Sequence, residues 1–153
     1  MNDGSGTHRV LILMVEDNAT DVMLTGEALR DCGIAHEMHV AEDGIEALEF
    51  LRREGRYVEA ARPDLILLDL NLPRMGGHAL LEQIKTDPGL KEIPVVVLTT
   101  SRRDADVNNA YALHANCYVF KPFGFDAFAD AIRSIERFWL QVARLPLGSV
   151  HGR

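Results

Sequence analysis

Cysteine is scarce in this chain, and its spacing matches no known pairing motif. Cys32 and Cys117 are the two cysteines in 153 residues, and they form no CxxC pair. A disulfide-bonded scaffold is therefore excluded, and reduced thiols of a cytosolic protein are the expected state. The six histidines are scattered along the chain, so a zinc site is not expected either.

The sequence also lacks long apolar runs and an excess of positive charge. The longest uninterrupted apolar run near the start covers residues 10–15, which is too short for a membrane span or a signal peptide. Lys and Arg number 16 against 23 Asp and Glu, a net charge of -7, whereas nucleic-acid phosphates require a basic face. We therefore expect a cytoplasmic protein that binds neither membrane nor nucleic acid.

The chain does contain a regular alternation of short apolar runs and helical patterns. The apolar runs have the length of strands and lie at residues 10–15, 65–68, 95–98 and 117–120, and a second, weaker strand is predicted at residues 35–40. The helical patterns comprise one that ends near residue 31 and others at residues 45–51, 77–86, 104–114 and 125 to the low 140s. Because no linker or repeat interrupts this pattern, we predict one domain over residues 9–146. Residues 1–8 and 147–153 are predicted to be flexible ends.

Five strands alternating with five helices predict an α/β protein with a doubly wound parallel sheet. Connections of this length are helical crossovers, which place helices on both faces of the sheet. Right-handed crossovers leave few strand orders. We adopt the flavodoxin-like order 2-1-3-4-5, a common arrangement that places strands 1 and 3 side by side at the switch point.

Polar residues lie at the ends of four predicted strands, on the edge where parallel strands all end. Glu16 and Asp17 follow the first strand, Asp69 the third, Thr99 ends the fourth and Lys121 follows the fifth. Each has an ordinary local explanation; the three acids, for example, suit the starts of helices. Open α/β sheets bind ligands at this edge, so the joint occurrence favours a single functional pocket.

This combination of side chains suits phosphoryl transfer to a carboxylate. Three carboxylates in one pocket repel one another unless they bind a cation, and an all-oxygen site with room for waters suits Mg²⁺. A lysine and a hydroxyl facing the site can bind an anion beside the metal. An aspartate, already ionised at pH 7, can act as the nucleophile and form an aspartyl phosphate.

Four motifs, taken together and in order, resemble the receiver domain of two-component response regulators. They are Val15-Glu16-Asp17-Asn18, Leu68-Asp69-Leu70-Asn71-Leu72-Pro73, Val97-Leu98-Thr99-Thr100-Ser101 and Tyr118-Val119-Phe120-Lys121-Pro122. The resemblance covers about residues 9–139. The acidic pair is Glu-Asp rather than Asp-Asp, a variation that the family accepts.

The resemblance implies a signalling protein, not an enzyme with a separate substrate, that accepts a phosphoryl group on Asp69 from a sensor histidine kinase. Mg²⁺ is the implied cofactor. The implied metal ligands are Asp17, Asp69 and the main-chain carbonyl of Asn71, with Glu16 acting through a water molecule. The residues implied in phosphate binding or switching are Thr99, Tyr118 and Lys121. The family also leads us to expect a cis peptide bond between Lys121 and Pro122.

Two other classes of protein stay open from the residues alone. A flavodoxin-like small-ligand binding protein would need a phosphate-cradling loop after the first strand, where Glu16 and Asp17 would repel a phosphate. An aspartate-nucleophile phosphatase would need a second acid two residues after Asp69, where Asn71 stands.

A narrower resemblance is to the single-domain regulators that pair with bacterial phytochrome histidine kinases. It rests on the long segment at residues 52–62, the Leu-Thr-Thr-Ser run and the sequence after residue 135. The resemblance implies a bacteriophytochrome as the kinase partner, which would itself carry the pigment. Because no effector domain follows the last helix, output is expected from the receiver surface.

The last helical pattern has more apolar residues than one sheet-covering face needs. Six recur at three- and four-residue steps and are expected to cover the sheet: Phe125, Phe128, Ile132, Ile135, Trp139 and Val142. Ala131, Phe138 and Leu145 form a neighbouring stripe, and exposed apolar stripes with aromatic anchors mark partner surfaces. We therefore expect a homodimer with Phe138, Trp139 and Leu145 in its interface, as the resembling subgroup commonly pairs through this region. The alternative is a C-terminal segment that folds back and buries these groups within one monomer.

Overall fold

The computed structural model describes residues 9–147, in which five β-strands alternate with five α-helices. The strands are β1 (Val10–Val15), β2 (His36–Ala41), β3 (Leu65–Leu68), β4 (Val95–Thr99) and β5 (Cys117–Phe120). The helices are α1 (Ala19–Arg30), α2 (Gly44–Arg52), α3 (Gly77–Lys85), α4 (Asp104–Ala112) and α5 (Phe125–Glu136). A short 3-10 turn, Gly55–Tyr57, follows α2, and a π-helical segment, Arg137–Val142, continues α5. The predicted flexible ends fall almost entirely outside the described residues.

The strands form one parallel sheet with the order β2-β1-β3-β4-β5, which confirms the predicted topology. β1 and β3 are neighbours, and Val15 lies opposite Leu68 at their carboxyl ends. β4 lies on the other side of β3, and its Thr99 is opposite Phe120 of β5. This register brings the residues that follow β1, β3, β4 and β5 to one edge. Within the described residues, no helix is long and apolar enough to cross a membrane.

The strand side chains alternate between two apolar cores, one on each face of the sheet. In β3, Ile66 and Leu68 belong to one core, whereas Leu65 and Leu67 belong to the other, as the two-residue period of a strand requires. Helices α2, α3 and α4 cover the first core, and α1 and α5 cover the second. Burial on both faces is the reason that the three central strands, β1, β3 and β4, are almost wholly apolar.

Specific contacts fix the helix starts next to the carboxyl edge of the sheet. Asn18 caps α1 because its side chain accepts a hydrogen bond from the N–H of Asp21 at 3.0 Å. α3 begins at Gly77, where a Cβ would lie 2.5 Å from the carbonyl oxygen of Asp69 and from the Cα of Leu70. Glycine is therefore required for α3 to approach the loop after β3 this closely.

The C-terminal helical region departs from the predicted sheet-covering face at two positions. Phe128, Ile132 and Ile135 are buried as expected, but Phe125 and Val142 are 69% and 68% exposed, so that prediction is wrong for these two. Phe125 lies in the exposed first turn of α5. Val142 ends the π-helical segment, whose wider turns no longer bring residues at three- and four-residue steps to one face.

Candidate functional site

Three carboxylates meet where β1 and β3 end side by side. Glu16 directly follows β1, and the N–H of Asp69, which directly follows β3, donates to the carbonyl of Val15 at 3.1 Å. Carboxylate oxygens of Glu16, Asp17 and Asp69 all lie within 4.8 Å of one another. The structure therefore brings the three predicted carboxylates together. We call this group, with Asp21 and Lys121 described below, the acidic pocket.

The three carboxylates differ in burial. Glu16 and Asp69 are 2% and 7% exposed, whereas Asp17 is exposed. Burial raises the pKa of Glu16 from 4.5 to about 7; the hydrogen bond with Lys121 opposes this shift and the charge of Asp69 adds to it. Oxygen donors with one solvent-facing side fit a hard divalent cation that keeps several waters, and such a cation would favour ionised carboxylates.

Lys121 reaches into the pocket from the end of β5 and contacts three carboxylates. Its Nζ donates to Glu16 Oε1 at 2.6 Å, to Asp21 Oδ2 at 2.7 Å and to Asp69 Oδ2 at 3.3 Å. Although burial favours the neutral amine, the bonds to Asp21 and Glu16 and the charge of Asp69 raise the pKa of Lys121 above its ordinary value. Lys121 is therefore an ammonium ion beside the predicted acceptor.

The predicted cis peptide bond between Lys121 and Pro122 is wrong. The described residues contain no cis peptide bond. The N–H of Lys121 donates to the carbonyl of Thr99 at 2.8 Å, so pairing with the end of β4 already directs the backbone at Lys121. The long lysine side chain then reaches the carboxylates from a trans peptide, the form that X-Pro bonds favour.

Asp21 is the site residue that the sequence interpretation missed. It lies in the first turn of α1, where acids are common without any further role. Its carboxylate nevertheless binds Lys121 from the first turn of α1. The sequence carries no local signal for this contact, because the two residues are 100 positions apart.

Thr99 and Tyr118 both contact the loop that follows β4. Thr99 is fully buried, and its Oγ1 accepts a hydrogen bond from the N–H of Ser101 at 3.4 Å. The hydroxyl of the half-buried Tyr118 donates to the carbonyl of Ser101 at 2.9 Å. The structure thus joins these two predicted switch residues through one residue, Ser101, which the sequence interpretation had not singled out.

Asn71 lies in the loop after β3, where its N–H donates to Asp69 Oδ1 at 3.3 Å. This contact and the Lys121 bond to Asp69 Oδ2 engage both oxygens of the Asp69 carboxylate. Loop and lysine together fix the orientation of that side chain.

The predicted dimer residues lie in the C-terminal region, away from the pocket. Phe138 is 51% exposed and packs edge to face on Trp139, with ring centroids 5.2 Å apart. Trp139 is half-buried against the second core, and Leu145 is also half-buried. Phe138 is thus the most exposed of the three.

Comparison with known proteins gives one consistent family. The model of the response regulator receiver domain matches residues 12–133. The chain is 45% identical over 146 residues to response regulator Rcp1 of a Synechocystis strain, covering 95% of this chain and 99% of that protein.

Solved structures extend the same likeness to the fold. The crystal structure of the phosphorylated cyanobacterial phytochrome response regulator RcpA superposes with a TM-score of 0.89 at 47% identity, covering 91% of this chain and 99% of the other. The Mn²⁺-bound form of Rcp1 superposes with a TM-score of 0.87 at 45% identity, covering 90% and 99%. Motifs, strand order, acidic pocket and relatives agree, and the chain belongs to the response regulator receiver domain family.

Proposed function

We propose that this protein is a response regulator that accepts a phosphoryl group from a sensor histidine kinase on Asp69. The observation that carries the proposal is the position of the Asp69 carboxylate, which belongs to the acidic cluster and lies 3.3 Å from the ammonium of Lys121. Family membership removes the flavodoxin-like and phosphatase alternatives.

The pocket residues fit Mg²⁺ as the cofactor. Asp17, Asp69 and the main-chain carbonyl of Asn71 would hold it, with Glu16 acting through a water molecule. When bound, Mg²⁺ neutralises charge on the transferring phosphoryl group. Support comes from the oxygen-only donor set here and from the Mn²⁺-bound form of the similar Rcp1.

In the proposed reaction, an oxygen of ionised Asp69 attacks the phosphorus of the phosphohistidine of the kinase. An O–P bond forms, the P–N bond breaks, and its electron pair stays on the histidine nitrogen. No protein base is needed because a carboxylate nucleophile has no proton to lose in this step. Lys121 donates a hydrogen bond to a phosphoryl oxygen, and attack by water on the aspartyl phosphate later returns free Asp69 and inorganic phosphate.

Intact-mass analysis after treatment with acetyl phosphate and Mg²⁺ tests this assignment. One phosphoryl adduct is expected in the native protein and in Asp126→Asn, a control at an exposed acid on α5. No adduct is expected in Asp69→Asn or when EDTA replaces Mg²⁺. An adduct that persists in Asp69→Asn would overturn the assignment.

The geometry around Ser101 supports a switch that uses Thr99 and Tyr118. After phosphorylation, the Thr99 hydroxyl would donate to a phosphoryl oxygen and draw the loop after β4 inward, and the Tyr118 ring would turn into the vacated space. Hydrogen exchange at residues 100–106 should change on phosphorylation in the native protein and in Thr100→Ala, an exposed neighbour. In Thr99→Ala, Asp69 should still take the phosphoryl group without that change in exchange. The same change in Thr99→Ala would contradict the switch.

The phytochrome-linked relatives support a bacteriophytochrome as the kinase partner, with the reaction in the cytoplasm. RcpA, at 47% identity, is a phytochrome response regulator. Radiolabelled phosphoryl transfer should be faster from a purified bacteriophytochrome kinase than from unrelated histidine kinases. Equal rates from all donors would remove this part of the proposal.

The exposed Phe138 supports a homodimer through the C-terminal region, with Trp139 and Leu145 at its border. Light scattering during gel filtration should give a dimer mass for the native protein and for Val58→Glu, which charges another exposed apolar site. Phe138→Glu should give a monomer that still takes a phosphoryl group on Asp69. A native protein that is a monomer at micromolar concentration would rule out the dimer.

A further inference from the structure

The Lys121 ammonium is fully engaged before any phosphoryl group arrives. An ammonium has three N–H donors and no acceptor, and Lys121 has three carboxylate partners. Its two short contacts are to Glu16 and Asp21, and its contact to Asp69 is the longest at 3.3 Å. The donor that faces Asp69 is therefore the one most readily turned to a phosphoryl oxygen.

Asp21 differs from the other two partners of Lys121 because it lies outside the carboxylate cluster that fits a cation. That cluster comprises Glu16, Asp17 and Asp69. A bound cation would attract the Glu16 carboxylate through a water molecule. Phosphorylation would convert the Asp69 carboxylate into an acyl phosphate. Asp21 alone among these partners is neither shared with the cation nor chemically altered during the reaction.

Hydrogen bonds at both the N–H and the carbonyl of Asp21 fix its backbone, and with it the position from which the side chain extends. The N–H of Asp21 donates to the Asn18 side chain at 3.0 Å, and its carbonyl accepts from the hydroxyl of the fully buried Thr25 at 2.8 Å. The hydrogen bond between the Asp21 carboxylate and Lys121 therefore connects the first turn of α1 to the end of β5. These contacts suit a side chain that places another group accurately.

We propose that Asp21 is a positioning residue for phosphoryl transfer, which holds the Lys121 ammonium beside Asp69 while the cation and the phosphoryl group engage Glu16 and Asp69. The inference rests on the proposed phosphorylation of Asp69. Asp21 touches neither the phosphoryl group nor the cation; it acts through Lys121.

The test follows the rate of adduct formation from acetyl phosphate at saturating Mg²⁺. Asp21→Asn keeps the size of the side chain and removes its charge, and it should slow transfer about tenfold because a mispositioned group loses much of its effect. The Mg²⁺ concentration for half-maximal rate should change less than about twofold, since Asp21 lies outside the cation cluster. Glu27→Gln is the matched control, because Glu27 lies on the same helix in an exposed pair with Arg30; its rate should equal that of the native protein.

A double-mutant cycle separates positioning from a general structural effect. In a Lys121→Gln background, followed over hours to measure slow transfer, Asp21→Asn should change the rate less than about twofold because its target is gone. Equal slowing in both backgrounds would show a merely structural role and overturn the inference. Asp21→Ser provides a second variant if Asp21→Asn fails to fold.

The two proposals fail in distinguishable ways. If Asp21→Asn takes the phosphoryl group at the native rate, the positioning role is wrong and phosphorylation of Asp69 stands. If the native protein forms no adduct that Asp69→Asn removes, the proposed function itself is wrong.

Discussion

Glu16 and Glu46 each place a carboxylate against a cationic side chain, yet their pKa values shift in opposite directions. In the acidic pocket, Glu16 lies 2.6 Å from Lys121 Nζ. On the surface of α2, Glu46 lies 3.2 Å from Arg56 Nη2. The pKa of Glu16 is raised to about 7, whereas that of Glu46 is lowered. The shorter ion pair belongs to the glutamate that holds its proton more tightly.

Burial and the neighbouring charges explain the difference. The Glu16 side chain is 2% exposed and faces Asp69, and both conditions favour its neutral form. The Glu46 side chain is 18% exposed; burial raises its pKa too, but the N–H of Glu42, the Tyr57 hydroxyl and Arg56 outweigh that effect. The surface group is thus balanced by its own contacts, whereas the pocket holds more carboxylates than its single lysine can neutralise.

Among the predictions that test this comparison, replacing Lys121 should change the free energy of unfolding most. Lys121→Met leaves buried carboxylates without their cation, which should lower the free energy of unfolding by about 3–5 kcal/mol in EDTA. Mg²⁺ should restore part of the loss because it supplies positive charge at the same carboxylates. Urea unfolding with and without Mg²⁺ measures both quantities.

Arg56→Met is the control, because Arg56 pairs with Glu46 but lies at the surface. Its unfolding free energy should stay close to that of the native protein, with or without Mg²⁺. Similar losses for the two variants would show that burial does not separate the pocket from the surface pair.

The second-largest effect concerns pH. The folded pKa of Glu16, about 7, lies above its ordinary value of 4.5, so the folded state binds the proton more tightly. The resulting stability is fully present below pH 4.5 and is lost as pH rises through about 7. In EDTA the loss should be on the order of 3 kcal/mol. Urea unfolding across this range should show it in the native protein and lack it in Glu16→Gln; an unchanged slope in the variant would assign the effect to another group.

The pocket residues that could be predicted from the sequence are those whose position is determined by the end of a strand. Glu16, Asp69, Thr99 and Lys121 each lie at or just after a continuous apolar run, and a parallel sheet brings such positions to one edge whatever the details of packing. Asp21 was missed because its first-turn position in α1 has a sufficient local explanation. Its contact with Lys121 spans 100 residues of sequence, and no local pattern encodes such a pairing.

The wrong predictions concern geometry that residue spacing does not determine. The cis form of Lys121-Pro122 came from family resemblance, and the sequence itself does not distinguish the two isomers. Phe125 and Val142 matched a helical period, but a regular period cannot reveal an exposed first turn or the change to a π-helix after Glu136.

The next effect in size concerns the close approach of α3 to the pocket. In Gly77→Ala, the added Cβ would meet the Asp69 carbonyl oxygen and the Leu70 Cα at 2.5 Å, so backbone must move. The expected loss of unfolding free energy is about 1–3 kcal/mol, with slower phosphorylation because the loop after β3 carries Asp69. Thermal unfolding and the adduct assay measure the two effects.

Gly26→Ala is the matched control for this substitution. Gly26 lies within α1, where the nearest atom to an added Cβ is Met38 Cε at 3.8 Å. Alanine should therefore stabilise the protein by up to about 1 kcal/mol through helix propensity. A Gly77→Ala protein as stable as Gly26→Ala would show that α3 can withdraw from the loop without cost.

The smallest effect is expected at Glu46, and its sign completes the comparison with Glu16. One Glu46 oxygen accepts from the N–H of Glu42 at 2.9 Å, and the other accepts from the Tyr57 hydroxyl at 2.6 Å. Glu46→Gln cannot offer two acceptor oxygens, so the loss of unfolding free energy near pH 8 should be about 1 kcal/mol.

The pKa of Glu46 is lowered in the folded state. The stability from ionised Glu46 is therefore present above its ordinary pKa of 4.5 and is lost as pH falls through the lower folded value. In EDTA near pH 8, urea unfolding should therefore find Glu16→Gln more stable than the native protein and Glu46→Gln less stable, with both differences shrinking in acid. If the two variants shift stability in the same direction near pH 8, burial and like charge do not distinguish these glutamates.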